Sequence, residues 1–224
     1  MIFTDLDKTL IYSERFLNKY KIPIVDCTVV ESTDKVTSYI SNKTIEILKS
    51  IEFVPTTART EEQYRRLNLP HHRIAIVENG AKILIDGSEI KEWSDIVKSK
   101  LSRLTLLPED IIKRLSNYKI IDNKFIVTKD IDFDININDE WTIYKGRESY
   151  IVPNFIKKDI AVKYVCDYLE CENYFCMGDA ETDLDMILNS TNRAIAGHSD
   201  ITHKNLVRIK DIGFLATENI LGLY

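Results

Sequence analysis

The feature that most constrains this chain is a set of short apolar runs, each stopped abruptly by polar residues. "MIFT" meets Asp5, "IEFVP" meets Thr56 and Thr57, "RIAIV" meets Glu78, Asn79 and Gly80, "NYFCM" meets Gly178 and Asp179, and "RAIA" meets Gly197 and His198. Runs this short, bounded by turn residues, read as buried strands. Helix-like segments lie between them. "SNKTIEILKSI" opens on the cap candidates Ser41 and Asn42 and spaces Ile45, Leu48 and Ile51 at helical intervals, while "TEEQYRRL" puts Thr60 ahead of an acidic first turn. "KKDIAVKYVCDYLE" places Ile160, Ala161, Tyr164, Val165 and Tyr168 on one side. Strand and helix in alternation predict an α/β fold, a doubly wound parallel sheet with helices on both faces and right-handed crossovers. Ligands bind such sheets beyond the carboxyl ends of the strands, where Asp5, Thr57 and Asp179 all fall.

The middle of the chain breaks this rhythm. "KILIDGSEI" is a hairpin signal with Asp86-Gly87 as its turn; a helical stretch with Trp93 follows, and a second helix is expected to start near Pro108. "DIDFDINI" alternates strictly, Ile131, Phe133, Ile135 and Ile137 on one face against Asp130, Asp132, Asp134 and Asn136 on the other. A calcium loop is excluded there, because counting from Asp130 or Asp132 puts Ile135 or Ile137 where glycine is needed and Trp141 or Ile143 where glutamate is needed. The acidic face reads as a solvated strand surface. Residues 82–152 are therefore expected to form a smaller α+β domain inserted into a core made of 1–81 and 153–224.

Composition excludes several classes of function. With 224 residues, 44% of them hydrophobic, the chain can bury a real core, and 30 basic against 35 acidic residues give a net charge of −5 with no basic block, so nucleic acid is not expected as a partner. No run reaches the roughly 18 apolar residues of a membrane span, so no membrane association is expected and a cytoplasmic protein is. Cys27 stands apart and Cys166, Cys171 and Cys176 recur every five residues, which matches neither zinc-site pairs nor a disulfide framework; His71, His72, His198 and His203 add no ligand spacing. The cysteines are expected to be free thiols.

At the end of the first run, Asp5 and Asp7 stand two residues apart, a spacing that can bring both carboxylates to one bound group. Paired carboxylates suit a hard cation or acid–base work. Taken with three later segments, "DLDKTL" resembles the first motif of the haloacid-dehalogenase-like (HAD) superfamily. "VPTTAR" resembles the strand-end T-G-R motif of its Cof-like and sucrose-phosphatase-like branch, aligning Thr57 and Arg59. "PNFIKKDIAV" resembles the lysine motif K-G-x-A-L, selecting Lys158, and "MGDAETDLDM" resembles G-D-x-x-N-D, selecting Asp179 and Asp183. "ENGA" at 78–81 is also typical of the segment before the inserted cap. This chain departs from the pattern at Lys8, Ala58 and Asp159, which stand where glycine is usual, and at Thr182, where asparagine is usual.

The resemblance implies a Rossmann-like core with an inserted α+β cap and a Mg²⁺-dependent phosphatase acting on a small phosphorylated metabolite through an aspartyl-phosphate. A sugar phosphate is the first expectation. It assigns Asp5 as nucleophile, Asp7 as general acid and base, Thr57 as a donor to the phosphoryl group and Lys158 as the cation beside Asp5. Asp5, the backbone carbonyl of Asp7, Asp179 and Asp183 would hold Mg²⁺. Thr56 and Lys157 stand as alternatives to their neighbours, Thr9 is expected to hold the turn, Arg59 and Asn79 to shape the loop or hinge, and Asp185 to be a surface acid. A phosphomutase or other phosphotransferase of the same fold, or a non-catalytic phosphate-binding regulator, is the alternative. Pro55 should cost its strand a ladder bond, placing it at a bulge or an edge. Residues 22–40 exceed what the resemblance leads one to expect and are read as an extra hairpin near the site.

Overall fold

The computed structural model describes residues 1–107, 109–115, 117–129, 139–145 and 148–224. At its centre Phe175–Met177, Ile2–Thr4 and Phe53–Pro55 lie side by side in parallel, in that order. Because strand side chains alternate, neighbouring residues feed opposite layers. Ile2, Phe53 and Phe175 enter one apolar cluster with Leu48, Ala216 and Ile220; Phe3, Val54 and Cys176 enter the other with Ala161, Val162 and Val165. Helices Asn42–Lys49 and Phe214–Leu221 cover the first face and Lys158–Tyr168 the second. The doubly wound α/β arrangement expected from the alternating pattern is thus present. No helix among the described residues is long and apolar enough to cross a membrane, and all four cysteines are free.

The helix caps follow the local sequence. The Ser41 side chain accepts from the Thr44 N–H, and Thr60 forms a capping box with Gln63 at the start of Glu61–Tyr64. Helix Lys158–Tyr168 corrects the expected apolar face. Its buried residues are Lys158, Ala161, Val162, Val165 and Cys166, whereas Tyr168 is 55% exposed. Those positions are three, four, seven and eight residues on from Lys158, so the helix is turned to carry that lysine inward.

Pro55 lies in the outer strand of the three-stranded parallel sheet, the edge position expected for it. Thr56 N–H donates to Thr4 C=O and Thr57 N–H to Ile76 C=O, so Pro55 turns its missing donor toward the strand Ile74–Val77. That side of the ladder is reduced to the single bridge Thr56–Ile76. The cost falls where pairing is already sparse.

Ile74–Val77 also pairs antiparallel with Lys82–Ile85, which pairs with Ser88–Glu89 around Asp86 and Gly87, both at positive φ (49° and 75°) as a tight hairpin turn requires. The expected division at 81/82 lies inside this arrangement. Helix Lys91–Leu101 then buries Trp93 and Val97 in the cluster that contains Phe3, with Trp93 Nε1 donating to Gly80 C=O at 3.0 Å. Beyond it, Trp141–Tyr144, Ser149–Pro153, Phe125–Thr128 and Tyr118–Ile121 form a four-stranded antiparallel sheet in that order. Ile126 and Ile151 pack with Leu115 and Ile112 near helix Glu109–Arg114, while Phe125 and Val152 join the cluster of the parallel sheet. The expected helix start at Pro108 and the alternating segment 130–137 lie outside the described residues.

The extra hairpin is present, as Cys27–Ser32 against Thr37–Ser41, with Tyr12–Ser13 as the third strand. A further tight spot is the turn Glu78–Gly80, whose residues have φ values of 55°, 57° and 98°. A Cβ on Gly80 would lie 2.4 Å from the carbonyl oxygen of Lys157, backbone that holds the start of the Lys158 helix. Gly80→Ala combines a strained φ with a collision against fixed backbone, and is expected to cost about 2–4 kcal/mol. Urea denaturation should show this as a lower midpoint with an unchanged slope.

Candidate active site

The site forms where the central strands end. Asp5 follows Ile2–Thr4, its N–H donating to Met177 C=O at 2.9 Å; Thr57 follows Phe53–Pro55 and Asp179 follows Phe175–Met177. Lys158, 2% exposed, enters from the helix on the opposite side. Its Nζ lies 2.6 Å from Asp5 Oδ1 and 2.6 Å from Asp183 Oδ1. Lys157 instead points to Asp185, 3.8 Å away at the surface. Thr56 donates its hydroxyl to Val54 C=O, whereas Thr57 Oγ1 accepts from Arg59 N–H at 3.2 Å and keeps its own proton to donate.

Asp183 is locked from both ends. Its Oδ2 accepts from the N–H groups of Asp179 and Ala180 at 3.1 and 3.0 Å, which fixes the loop that carries Asp179. Gly178 makes this possible, since a Cβ there would fall 2.3 Å from the Cβ of Asp183. Oxygens of Asp5, Asp179 and Asp183, all three buried, lie within 4.8 Å of one another.

Crowding these carboxylates has an electrostatic cost. Burial raises the Asp5 carboxyl well above the usual range; Lys158 opposes the shift, and Asp183 and Asp179 add to it. Burial likewise pushes Asp179 up to about 7 against the opposing pull of Lys8. Burial disfavours the Lys158 ammonium, but Asp183 and Asp5 outweigh it and raise its pKa, so the lysine stays charged. Two ammonium groups, Lys158 and Lys8, thus face three carboxylates. A closely spaced all-oxygen donor set with negative charge in excess fits a hard divalent cation.

Around these residues the fold adds partners that the sequence did not specify. Lys8, the residue in the glycine position, has φ 62° and brings its Nζ to 3.3 Å from Asp179 Oδ2. Arg59, expected only to shape the loop, donates to both oxygens of Asp7 at 2.7 and 2.8 Å and to Glu31 at 2.9 Å. Thr9, expected to hold the turn, does so through its carbonyl, which accepts from the hydroxyls of Tyr12 and Thr217, while its hydroxyl has no partner among the described residues. Asn79 does act at the joint, donating to Ile156 C=O at 3.1 Å. Tyr144 and Tyr150 are cross-strand partners in the antiparallel sheet. Burial raises both phenols; at Tyr144 the carboxylates of Asp185, Asp159 and Asp183 add to the rise and Lys158 opposes it, and at Tyr150 Glu148 adds to it, Lys158 opposes it, and Asp7 and Asp5 add to it.

No protein-family model matches the chain, and no curated protein matches it in sequence. Solved structures do match in shape. The sucrose-phosphatase of Synechocystis sp. PCC6803, solved with sucrose and phosphate, superposes with a TM-score of 0.63 at 12% identity over 99% of this chain and 95% of that one. A phosphatase of the haloalkanoate (HAD) superfamily from Bacteroides thetaiotaomicron gives 0.60 at 13% identity over 100% and 95%. A haloacid dehalogenase-like hydrolase from Bacillus subtilis gives 0.55 at 14% identity over 99% and 90%. With the parallel sheet, the inserted antiparallel sheet and nearly full-length superposition in both directions, this chain has the fold of the haloacid-dehalogenase-like phosphatases.

Proposed function

We propose that the protein is a Mg²⁺-dependent phosphatase that hydrolyses a small phosphorylated metabolite through an aspartyl-phosphate on Asp5. The observation that carries this reading is the Lys158 ammonium joining Asp5 to Asp183 beside Asp179 at the carboxyl ends of parallel strands. Asp5, the Asp7 carbonyl, Asp179 and Asp183 are the residues that would hold the ion. When bound, Mg²⁺ supplies Lewis-acid shielding that lets an anionic nucleophile approach a phosphate dianion.

The chain's own groups account for the rest. Lys158 holds Asp5 Oδ1 in place, and an oxygen of the Asp5 carboxylate attacks phosphorus. The bond from phosphorus to the ester oxygen breaks, and the departing alkoxide takes a proton from Asp7. Asp7 then removes a proton from water as the water oxygen attacks phosphorus; the Asp5–phosphorus bond breaks and inorganic phosphate leaves. Thr57 donates its hydroxyl to a phosphoryl oxygen, and Lys158 offsets charge on the phosphoryl group. A sugar phosphate is the proposed substrate class from the resemblance of the motifs to the sucrose-phosphatase-like branch, and the cross-strand pair Tyr144 and Tyr150 of the antiparallel sheet offers aromatic rings with polar tips that suit a polyhydroxylated ring.

A panel of phosphorylated metabolites, assayed for free phosphate with and without Mg²⁺, tests the reading. Phosphate release from sugar phosphates that stops on chelation and returns with Mg²⁺ is expected. An isomerised substrate without free phosphate would identify a mutase instead, and no reaction with any member of the panel would overturn the assignment.

A further inference from the structure

The hairpin Cys27–Ser32/Thr37–Ser41 carries a carboxylate that the reaction above does not use. Regular pairing alternates buried and exposed residues, yet Val30 and Glu31 are both buried, at 2% and 9% exposure. The register of the hairpin shifts between Val29 and Glu31. A bulge of this kind re-aims a side chain, and here it sends Glu31 toward the parallel sheet. Glu31 Oε2 accepts from Arg59 Nη1 at 2.9 Å, while Arg59 Nε and Nη2 donate to Asp7 Oδ2 and Oδ1 at 2.7 and 2.8 Å. The guanidinium fork therefore spans two carboxylates supplied by separate elements.

From this geometry we infer that Glu31 is a positioning residue, which holds Arg59 in the plane that fixes the Asp7 carboxylate for proton transfer. The inference rests on the acid–base role given to Asp7 above. One carboxylate held by a guanidinium can swing with it; a second anchor at another nitrogen fixes the plane of the fork as well as its place. Asp7 needs such an anchor because its side chain is 52% exposed, while that of Arg59 is only 14% exposed and Glu31 closes the far side. The hairpin is itself secured, with Val30 C=O accepting from Asn68 N–H at 2.8 Å. Glu31 thus braces Asp7 from a fixed platform.

A brace that serves proton transfer has a signature that a merely structural contact lacks. An alkoxide leaving group needs its proton from Asp7, whereas 4-nitrophenolate leaves without one. In Mg²⁺ buffer, Glu31→Gln is expected to lower kcat/KM for an alkyl phosphate about 10- to 100-fold, with kcat/KM for 4-nitrophenyl phosphate held within about 3-fold. Glu31→Asp, which keeps the charge, should recover part of the alkyl rate and carries the same comparison if the Gln variant melts early. Equal losses on both esters, or none on either, would overturn the inference. Should the wild type cleave neither ester, the phosphatase reading fails, and the clamp is still tested by the ¹⁵N signal of Arg59 Nε–H, identified by its absence in Arg59→Lys. That signal is expected to be exchange-protected in the wild type and exposed in Glu31→Gln; an unchanged signal would remove the clamp.

Discussion

Asp5→Asn is expected to lower phosphate release by about 10,000-fold or more while the protein stays folded. The substitution nearly preserves shape, and the main-chain bond from Asp5 N–H to Met177 C=O does not involve the side chain. What it removes is the anionic oxygen that attacks phosphorus. The effect on stability should run the other way from the effect on rate. Burial and the neighbouring carboxylates Asp183 and Asp179 already hold the Asp5 carboxyl well above its usual pKa, against the pull of Lys158. In chelator, an amide that still accepts from Lys158 relieves that repulsion, so the melting temperature should match or exceed that of the wild type. The rise on adding Mg²⁺ should shrink, because one oxygen donor with a full charge is gone. Melting curves with and without Mg²⁺, beside turnover of a generic aryl phosphate, check all three; normal turnover would remove Asp5 as nucleophile.

Local chemistry explains why much of the fold was legible. Short runs stopped by turn residues gave the strand ends, Ser41 and Thr60 marked helix starts, and Asp86-Gly87 marked a hairpin, because each depends on residues close in sequence. The places that differ depend on partners. The buried face of Lys158–Tyr168 is set by where Lys158 must point, which apolar spacing alone does not encode. Pro55, by contrast, was placed by its own chemistry: the residue without a donor sits in the outer strand and turns its nitrogen toward Ile74–Val77, where a single bridge forms.

The same division runs through the site. Asp5, Thr57, Lys158, Asp179 and Asp183 are each next to a strand end or helix start, so their places in the fold followed from local sequence. Lys8 and Glu31 became visible only through the fold: Lys8 reaches an aspartate 171 residues away, and Glu31 is aimed by a bulge whose place depends on the pairing register of the hairpin. A lysine in a position that favours glycine was the one available signal for Lys8, since an L-residue at φ 62° is held there against a backbone preference. For Glu31 the sequence carries no comparable mark.

Lys158→Ala is expected to destabilise the metal-free protein severely. The wild-type ammonium sits 2.6 Å from both Asp5 Oδ1 and Asp183 Oδ1, and its removal leaves those carboxylates buried without that shared cation. Breaking a buried ion pair from one side costs about 3–5 kcal/mol, and at about 2–4 °C per kcal/mol for a chain of this size the melting temperature should fall by about 6–20 °C. Part of such a loss comes from the cavity left by the side chain. Lys158→Met separates the two causes, since Met refills most of the volume without restoring the charge. If charge dominates, Met and Ala variants melt close together, and Mg²⁺ raises both by more than it raises the wild type, because a cation that binds only the folded state meets a larger uncompensated charge. If the cavity dominates, Met restores most of the stability and Mg²⁺ raises all three proteins alike. Activity should fall by about 100-fold or more in both variants, as the cation beside the transferring phosphoryl group is absent from each.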